Sequence, residues 1–446
     1  MPSAIFFDGT ATPPILGGDY GCLHPISLTM IQAIKGTYDL LPGEVEIWHA
    51  VERRLRDTFH SYGFGEIRTP IFEATELFSR GVGEETDIVS KEMYTFADRD
   101  ENKSLTLRPE GTAPVIRAFI EHQLQNEARM IKLYYIAPMF RHERPQKGRY
   151  RQHVQAGAEV LSNTDNPAIE AEVLEMLTFF LSGIGIPDLD VNVNSIGDEE
   201  CRPAFTLDLK AEIRKRAERL CENCQRRGEK NPLRVFDCKV PSCQSVIAEL
   251  PTITDRLCSG CKQHFEKLQS YLTTRAIRFK VNPRLVRGFD YYKRTTFEIT
   301  SSRLGAQNTV AGGGRYDGLS ETLGGPPSKG FGFGMGMERL ILSIPNQDQL
   351  TPDYSPEYFV APMGDAAFEY ATLLARRLRA GGKRVYLDFD PRSLKSQMRL
   401  ADKLKAKSVV IVGDEELKAG TLVVRDMATK EQQTVRESEI LGRDKS

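Results

Sequence analysis

The chain has 446 residues, of which 40% are hydrophobic and 27% are charged. At about 100 to 200 residues per domain this length predicts about three domains, and no apolar run approaches the ~18 residues of a spanning helix, which argues against a membrane protein. Lys and Arg number 60 against 61 Asp and Glu, so contact with nucleic acid would need a local basic patch rather than the charge of the whole chain.

The N-terminal stretch has no helical or strand periodicity. No Lys or Arg occurs before Lys35, whereas a secretory signal needs positive charge and a mitochondrial presequence is rich in Arg. The sequence therefore favours a cytoplasmic protein. Residues 1–29 are interpreted either as a disordered extension or as a misassigned start, with Met30 as the natural first residue.

A helix is predicted from Pro42 onward, because apolar residues recur every three or four positions up to Tyr62. Phe64 to Phe72 then alternates like a strand, but Pro70 cannot donate to a neighbouring strand and so belongs at a sheet edge or an interface. This edge is a candidate dimer surface. The strand candidates that follow neighbour one another without regular crossover helices, which predicts an antiparallel sheet and an α+β domain.

The segment Thr106 to Thr112 (TLRPEGT) places polar side chains in a turn before a helix. Its proline and glycine hold Glu110 in that turn, and Thr112 is a candidate N-cap of the helix. For Thr112 taken alone, capping is the simpler interpretation.

The segment Met139 to Glu159 (MFRHERPQKGRYRQHVQAGAE) is the most informative motif. Its proline and glycine predict a hairpin loop from which several cations project, among them Arg149. Arg141 ends a strand, where its planar fork can hold a phosphate, and Glu143 can accept a hydrogen bond from the amino group of a base. A solvated hairpin with surface charges is the alternative.

Residues 196–279 change in character to charged helices with cysteines and are interpreted as an insertion. Seven of the eight cysteines lie here, which indicates metal binding or local structure rather than a secreted disulfide framework. Two Cys-x2-Cys pairs predict one closed structural zinc site with the ligands Cys221, Cys224, Cys258 and Cys261. Cys238 and Cys243 form a looser pair that could replace a member, and a metal-free helical insertion is the alternative.

Three glycine-containing segments follow. Arg284 to Tyr292 (RLVRGFDYY) and Ala311 to Gly318 (AGGGRYDG) place Arg, Asp and Tyr beside glycines, so that polar side chains can converge on a small ligand. In Gly330 to Leu340 (GFGFGMGMERL) alternate glycines predict a strand with one bare face for a flat ring, with Arg339 stacked over it or reaching its phosphates. Glycine turns and close packing inside the sheet are the alternatives.

A polar, proline-bearing stretch at residues 347–356 is typical of a linker. Beyond it, short apolar strands alternate with helical patterns, which predicts a small α/β domain with a largely parallel sheet. Within this domain, residues 376–407 carry eleven basic and three acidic residues, a net charge of +8 (11 minus 3) that suits a nucleic-acid backbone. A solvated helix surface is the alternative.

Together these motifs resemble those of class II aminoacyl-tRNA synthetases. RGFDYY and AGGGRYDG are similar to the two signature peptides of the histidyl-tRNA synthetase family, while IRTPIFE around Pro70, FRHE at Phe140 to Glu143 and GMGMERL at Gly334 to Leu340 resemble motifs 1, 2 and 3. The resemblance implies an α+β class II core with an antiparallel sheet, a mainly helical insertion and a C-terminal α/β anticodon-binding domain. The implied limits are 1–29 for the extension, 30–195 and 280–346 for the core, 196–279 for the insertion, 347–356 for the linker and 357–446 for the anticodon-binding domain.

The resemblance also implies a reaction and its residues. Histidine would be activated by ATP with Mg²⁺ to histidyl-adenylate and passed to the 3′ end of tRNA(His) by a cytoplasmic homodimer. The residues implied for catalysis are Arg287 and Arg141, and those for ATP are Arg141, Glu143, Arg149 and Arg339. The residues implied for histidine are Glu110, Thr112 and Gln155 at the α-amino group, and Glu159, Tyr291 and Tyr292 at the imidazole.

Two other functions fit parts of this pattern. One is a synthetase-like regulatory subunit that senses histidine for histidine biosynthesis, and the other is a synthetase-like module of a stress-sensing kinase. Regulatory subunits of that kind commonly lack the anticodon-binding domain and have eroded motifs, whereas this chain retains the domain and the motifs. No kinase sequence is present, so the sequence favours the ligase.

Overall fold

The computed structural model describes residues 30–442 except for 85, 100–102, 147, 303–307, 348–349, 351–352 and 391–392. The extension expected at residues 1–29 lies outside the described residues. The chain divides into two compact units. Of the described residues, one unit contains 30–41, 59–179 and 187–343, and the other contains 42–58, 180–186 and 344–442. Across the described ranges, no helix has the length and apolarity needed to cross a membrane.

The elements before the insertion alternate between helices and short or long strands. They are α1 (Val45–Ser61), β1 (Gly65–Glu66), β2 (Phe72–Ala74), α2 (Thr75–Val82), β3 (Tyr94–Ala97), β4 (Ser104–Leu107), α3 (Thr112–Glu121), β5 (Met130–Phe140), β6 (Gln152–Ser162), α4 (Pro167–Gly183) and β7 (Leu189–Ser195). The insertion consists of helices and turns, with α5 (Arg202–Lys215), α6 (Glu222–Lys230), α7 (Pro241–Glu249) and α8 (Ser259–Thr274). The chain then continues with β8 (Phe279–Val281), β9 (Lys293–Ser301), β10 (Thr309–Arg315), α9 (Leu319–Thr322), β11 (Lys329–Gly336) and α10 (Met337–Ser343).

An eight-stranded sheet organises the first unit, in the order β1-β5-β6-β11-β10-β9-β7-β8. All neighbouring pairs from β5 to β7 are antiparallel, and only the edge strands β1 and β8 pair in parallel with their neighbours. The antiparallel core predicted from the sequence is therefore confirmed. A separate antiparallel sheet, β2-β4-β3, follows α1.

The helices of the insertion pack around a buried apolar cluster that continues into the sheet unit, where it includes Phe119, Tyr291 and Tyr316. On α5, Phe205, Leu209 and Ile213 recur every four residues, which places them on one helix face, and all three are buried. They join Val246 and Ile247 of α7 in the same buried cluster. Burying side chains of this size stabilises a helix by about 1.5 to 3 kcal/mol each, so the insertion is held by packing rather than by helix propensity.

The second unit contains a five-stranded sheet with helices between its strands. Its elements are β12 (Tyr358–Met363), α11 (Asp365–Ala380), β13 (Val385–Leu387), α12 (Leu394–Lys403), β14 (Ser408–Gly413), α13 (Asp414–Ala419), β15 (Thr421–Asp426), β16 (Gln432–Arg436) and α14 (Glu437–Gly442). The order is β13-β12-β14-β15-β16, with the first two pairings parallel and the last two antiparallel. The sheet is thus half parallel rather than largely parallel, because α13 is too short for the crossover of about a dozen residues that a parallel return needs.

Candidate active site

Glu159 is the centre of a buried polar pocket. It lies on β6 and is fully buried, and its Oε1 accepts a hydrogen bond from the Thr112 hydroxyl at 2.7 Å. Its Oε2 accepts one from the Tyr316 hydroxyl at 2.5 Å. Burial raises the pKa of Glu159 to about 8, although both hydroxyls favour the charged form. The pocket therefore offers a carboxyl group that changes protonation near neutral pH.

The glycines of β11 make room for the side chains of this pocket. A Cβ on Gly332 would lie 1.8 Å from Glu159 Oε2, and one on Gly334 would lie 2.1 Å from Gln155 Nε2. The glycine face predicted to be bare is therefore largely filled by the protein's own side chains. At Gly336 a Cβ would meet no described atom within 4 Å, so the space that remains open lies at that end of the strand.

Aromatic rings form a wall of the same pocket. The ring centroids of Tyr291 and Tyr292 lie 4.6 Å apart, and Tyr291 contacts the ring of Tyr316 edge-on at 5.7 Å. Both tyrosines of this pair are buried, and burial raises the pKa of Tyr292 to about 12. Its hydroxyl therefore stays protonated at neutral pH and can donate a hydrogen bond to a polar ligand.

The three residues implied for an α-amino group lie at the start of α3 and on β6. The Glu110 carboxylate accepts hydrogen bonds from the backbone N–H groups of Thr112 and Ala113, at 2.7 and 2.8 Å. Glu110 thus caps α3, a role that the sequence had given to Thr112, whose hydroxyl instead binds Glu159. Gln155 donates to the Tyr135 hydroxyl at 3.1 Å.

Arg287 and Arg141 approach the pocket from different elements. A Cβ on Gly312 would lie only 2.5 Å from Nη2 of Arg287, so the guanidinium rests directly on the backbone of β10. Its Nη1 donates to Glu298 at 3.2 Å, while its Nε is buried without a hydrogen-bond partner in the described part of the chain. Arg141 donates through Nε to the carbonyl oxygen of Pro109 at 2.8 Å, which leaves its terminal nitrogens for an anion.

The hairpin loop after β5 and the start of α10 meet through a second polar group. Arg339 donates through Nε to the carbonyl oxygen of Gly148 at 3.2 Å, and Arg149 pairs with Glu143 at 3.3 Å. Burial lowers the pKa of Arg339, which still leaves it charged at neutral pH. The hairpin loop and α10, which are far apart in sequence, thus bring Arg149, Arg339 and the carboxylate of Glu143 together. Lys147 of this loop lies outside the described residues.

A buried ion network behind the glycine strands was not anticipated from the sequence. Oε1 of Glu170, a fully buried residue of α4, accepts from Arg315 Nε at 2.6 Å and lies 2.7 Å from His264 Nε2. Arg315 also donates to Asp317 at 3.0 Å. Although burial alone would raise the pKa of Glu170, Arg315 and His264 hold it below its usual value. Glu170 is one of three glutamates in α4, with Glu172 and Glu175, so the sequence did not distinguish it as the buried one.

The cysteines do not form the predicted single zinc site. The structure places Cys221 and Cys224 with Cys238 and Cys243, and it places Cys258 and Cys261 with Asp198 and Cys201, each group having ligand atoms within 4.8 Å of one another. The predicted set of Cys221, Cys224, Cys258 and Cys261 is therefore corrected. The chain turns back to α6 through Cys238 and the start of α7, so the looser pair completes the first group.

Comparison with known proteins finds similarity over both units. The family model described as histidyl-tRNA synthetase matches residues 36–340, and the model described as anticodon binding domain matches residues 357–443. The histidine–tRNA ligase of Solibacter usitatus is 52% identical over 415 residues, which is 93% of this chain and 99% of that protein. The histidine–tRNA ligase of Syntrophotalea carbinolica is 50% identical over 91% of this chain and 96% of its own length.

Solved structures agree with the family match. The apo histidyl-tRNA synthetase of S. aureus superposes with a TM-score of 0.77 at 36% identity, covering 94% of this chain and all of that chain. A structure described as an ATP phosphoribosyltransferase regulatory subunit/histidyl-tRNA synthetase from Bacillus halodurans C has a TM-score of 0.60 at 20% identity, covering 86% of this chain and 99% of its own. At that identity the second structure speaks for the fold alone.

Proposed function

Because the chain belongs to the histidyl-tRNA synthetase family and is a histidine-specific aminoacyl-tRNA ligase, we propose that the pocket around Glu159 binds the histidine side chain. The observation that carries this proposal is the buried Glu159 carboxyl group, which two hydroxyls hold in place. An imidazole has two ring nitrogens, one of which can donate to Glu159 while the other meets a tyrosine hydroxyl. A site that pairs polar atoms in this way rejects analogues without them by about 10⁴-fold or more.

For the α-amino group of histidine we assign Thr112 and Gln155, with Glu110 as the residue that positions the turn. Glu110 binds two backbone N–H groups at the start of α3, so it fixes the place of Thr112. Gln155 lies on β6 above Gly334, four residues before Glu159 and on the same face of the strand. The α-amino group and the imidazole of histidine would then bind to side chains on one face of the sheet.

The adenylation step follows from the position of Arg287 and Arg141. A carboxylate oxygen of histidine attacks the α-phosphorus of MgATP, a new O–P bond forms, and the bond to the bridging oxygen breaks with its electron pair leaving on pyrophosphate. Negative charge grows on the α-phosphate oxygens during this step. Two guanidinium groups fixed beforehand stabilise that charge without reorganisation, so no side-chain nucleophile is needed.

For the rest of ATP we assign the open end of β11 and the hairpin loop. The free space at Gly336 suits the adenine ring, since it adjoins Arg339, the third residue after it. Glu143 would accept a hydrogen bond from the adenine amino group, and Arg149 would bind a phosphate. The ion pair of Glu143 with Arg149 already holds these two side chains next to each other before ATP binds.

The test replaces Arg287 with alanine. The Arg287→Ala variant should fold normally and still bind histidine, but it should lose histidine-dependent ATP–pyrophosphate exchange by about 10²-fold or more, because its charge is needed mainly in the transition state. The matched control is Arg278→Ala, which removes an exposed arginine near the end of the insertion. Near-normal exchange in a folded Arg287→Ala enzyme would remove Arg287 from the catalytic residues.

The regulatory-subunit alternative is not favoured. Relatives named histidine–tRNA ligase are about 50% identical over nearly the whole chain, whereas the structure whose description mentions a regulatory subunit is 20% identical. A histidine sensor would also have no use for Arg141 and Arg287 beside the amino-acid pocket. None of the relatives and structures reported above is described as a kinase.

For tRNA we propose binding by the second unit, which matches the anticodon-binding domain model. Part of the basic patch predicted there is used within the protein, since Arg377 pairs with Glu437 and Lys407 pairs with Asp353. Lys383 and Arg384 also pair within the protein, with Glu357. The cations that would contact the phosphate backbone are the exposed Arg376, Lys395, Arg399, Lys403 and Lys405. The cytoplasmic location stays a prediction of the sequence.

A homodimer is proposed through the edge that contains Pro70. Ile71 and Phe72 are 46% and 53% exposed, and Phe96, on β3 of the same three-stranded sheet as Phe72, is 44% exposed. Phe72 and Phe96 lie on the two strands that flank β4, opposite Leu107 and Leu105, and therefore share one face of this sheet. Large apolar side chains grouped on one exposed face commonly mark a protein interface. A twofold dimer would bury this surface against its own copy.

A structural zinc ion is proposed at Cys221, Cys224, Cys238 and Cys243. Zn–S bonds of about 2.3 Å place tetrahedral sulfurs about 3.8 Å apart, and Sγ of Cys221 lies 3.9 Å from Sγ of Cys238. Backbone N–H groups also point at the sulfurs, as in the 3.2 Å contact from Cys221 N to Cys243 Sγ. Four sulfur ligands leave no position for a substrate, so this ion would stabilise the insertion only.

A further inference from the structure

The second cysteine group joins the two ends of the insertion. Asp198 and Cys201 lie between β7 and α5, where the chain leaves the sheet, and Cys258 and Cys261 lie at the start of α8, the last helix of the insertion. Their ligand atoms all lie within 4.8 Å of one another, and the three cysteines are free thiols. Segments separated by more than fifty residues thus converge on one point.

The geometry of this group is that of a closed metal site. Sγ of Cys201 and Sγ of Cys258 lie 3.7 and 3.8 Å from the same Asp198 oxygen, Oδ1. These separations are close to the edge of a tetrahedron of zinc ligands, about 3.5 to 3.8 Å for bonds of ~2.0 to 2.3 Å. Asp198, Cys201 and Cys261 are buried, so the group is shielded from water.

Surrounding residues fit a site with excess negative charge. Three thiolates and one carboxylate around Zn²⁺ carry a net charge of −2, and Arg294 donates to the other Asp198 oxygen, Oδ2, at 3.2 Å. The backbone N–H of Glu200 donates to Oδ1 at 3.1 Å. Metal-binding carboxylates are commonly held by such neighbours, which fix their orientation.

Gly197 and the start of α8 hold two of the thiols in place. A Cβ on Gly197 would lie 2.7 Å from Sγ of Cys201, so that position needs glycine for the thiol to stay where it is. The backbone N–H of Cys261 points at Sγ of Cys258 at 3.5 Å, in the manner of a Cys-x2-Cys metal knuckle. Neither feature serves the active site described above.

We propose that Asp198, Cys201, Cys258 and Cys261 bind a second structural zinc ion, independent of the one at Cys221. This ion fastens the first and last helices of the insertion to each other and, through Arg294, to β9 of the sheet. Arg202, the residue after Cys201, donates to the carbonyl oxygen of Tyr292 at 2.7 Å, so the site also adjoins the segment that lines the histidine pocket. The ion takes no part in the chemistry, because its four ligands leave no open position.

The test counts zinc in the full chain, purified without chelator, by elemental analysis. We expect about two ions per chain in the wild type, about one in Cys258→Ser/Cys261→Ser, about one in Cys221→Ser/Cys224→Ser, and none when the four changes are combined. The control Cys22→Ser changes the one cysteine outside residues 196–279 and should keep both ions. An unchanged zinc content in Cys258→Ser/Cys261→Ser overturns the proposal.

Two further outcomes separate this site from the first one. If the wild type holds about one zinc ion per chain and each double variant holds none, one shared site exists and the proposal is wrong. If Cys221→Ser/Cys224→Ser keeps one ion, the second site stands whatever happens at the first. Replacing that remaining ion with Co²⁺ provides a check on folded protein, because thiolate ligands of Co²⁺ give an intense near-ultraviolet absorption. This absorption should disappear when Cys258 and Cys261 are also changed. Its absence from the Co²⁺-loaded Cys221→Ser/Cys224→Ser protein would contradict the proposal.

Discussion

Gly312→Ala tests whether the position of the Arg287 guanidinium, and not just its charge, limits adenylation. The new Cβ would lie 2.5 to 2.6 Å from Nη2, Cζ and Nη1 of Arg287, all at the far end of a flexible side chain. Since ordinary contacts begin near about 3.4 Å, the guanidinium has to move by about 1 Å while the backbone of β10 can stay in place.

A misplacement of about 1 Å at a catalytic group can cost about 10²-fold in rate. We therefore expect kcat for histidine-dependent ATP–pyrophosphate exchange to fall by about that factor, with the KM for histidine changed by only ~3-fold or less. The loss should be smaller than in Arg287→Ala if the displaced cation still reaches the phosphate.

The matched control for Gly312→Ala is Gly65→Ala, on β1 of the same sheet, where a Cβ would meet none of the described atoms within 4 Å. It should leave kcat and the melting temperature close to the wild-type values. A folded Gly312→Ala enzyme with wild-type kcat would refute the idea that Arg287 acts from its place on Gly312. A large drop in melting temperature would instead show that the backbone, and not the guanidinium, had moved.

Three other predictions concern the pocket and the proposed interface. Burial raises the pKa of Glu159 from 4.5 to about 8, so its contribution to stability is fully present below pH 4.5 and is lost as the pH rises through 8. In urea unfolding, the free energy of unfolding of the wild type should therefore fall by up to ~1.4 kcal/mol per pH unit between these two values. The Glu159→Gln variant should lack this pH dependence. Tyr316→Phe removes the hydroxyl that holds Glu159, so the KM for histidine should rise ~10-fold with a smaller change in kcat, and an unchanged KM would contradict the assigned pocket. Phe72→Arg should give monomers in sedimentation experiments, whereas Phe179→Arg, at a residue that is 63% exposed on α4, should leave the dimer intact.

Sequence patterns predicted the class of the fold because they report on single elements. Phe331, Phe333 and Met335 alternate with glycines, and the structure buries all three on one face of β11. β16 (Gln432–Arg436) was missed because its residues are mostly polar and show no apolar alternation. It becomes a strand only through its pairing with β15.

What the sequence could not supply was the meeting of distant segments. The occupant of the glycine face depends on strand register, which places Gly332 opposite Glu159 in the sheet. The grouping of the cysteines depends in the same way on the path of the insertion, which returns Cys238 to Cys221 and brings Cys258 to Asp198. Spacing along the chain favoured two identical knuckles, but spacing carries no information on which of them approach each other.

The carboxylate shared by Arg315 and His264 has a consequence for the evolution and engineering of the insertion. Both side chains contact the same oxygen of Glu170, although His264 belongs to the insertion and Arg315 to the sheet. Deleting or exchanging the insertion would remove one contact from a fully buried ion group, and breaking such a group commonly costs about 3 to 5 kcal/mol. Swaps between homologues should therefore succeed only where the incoming helix carries a hydrogen-bonding side chain at the position of His264, which makes this residue a marker of which insertions are interchangeable.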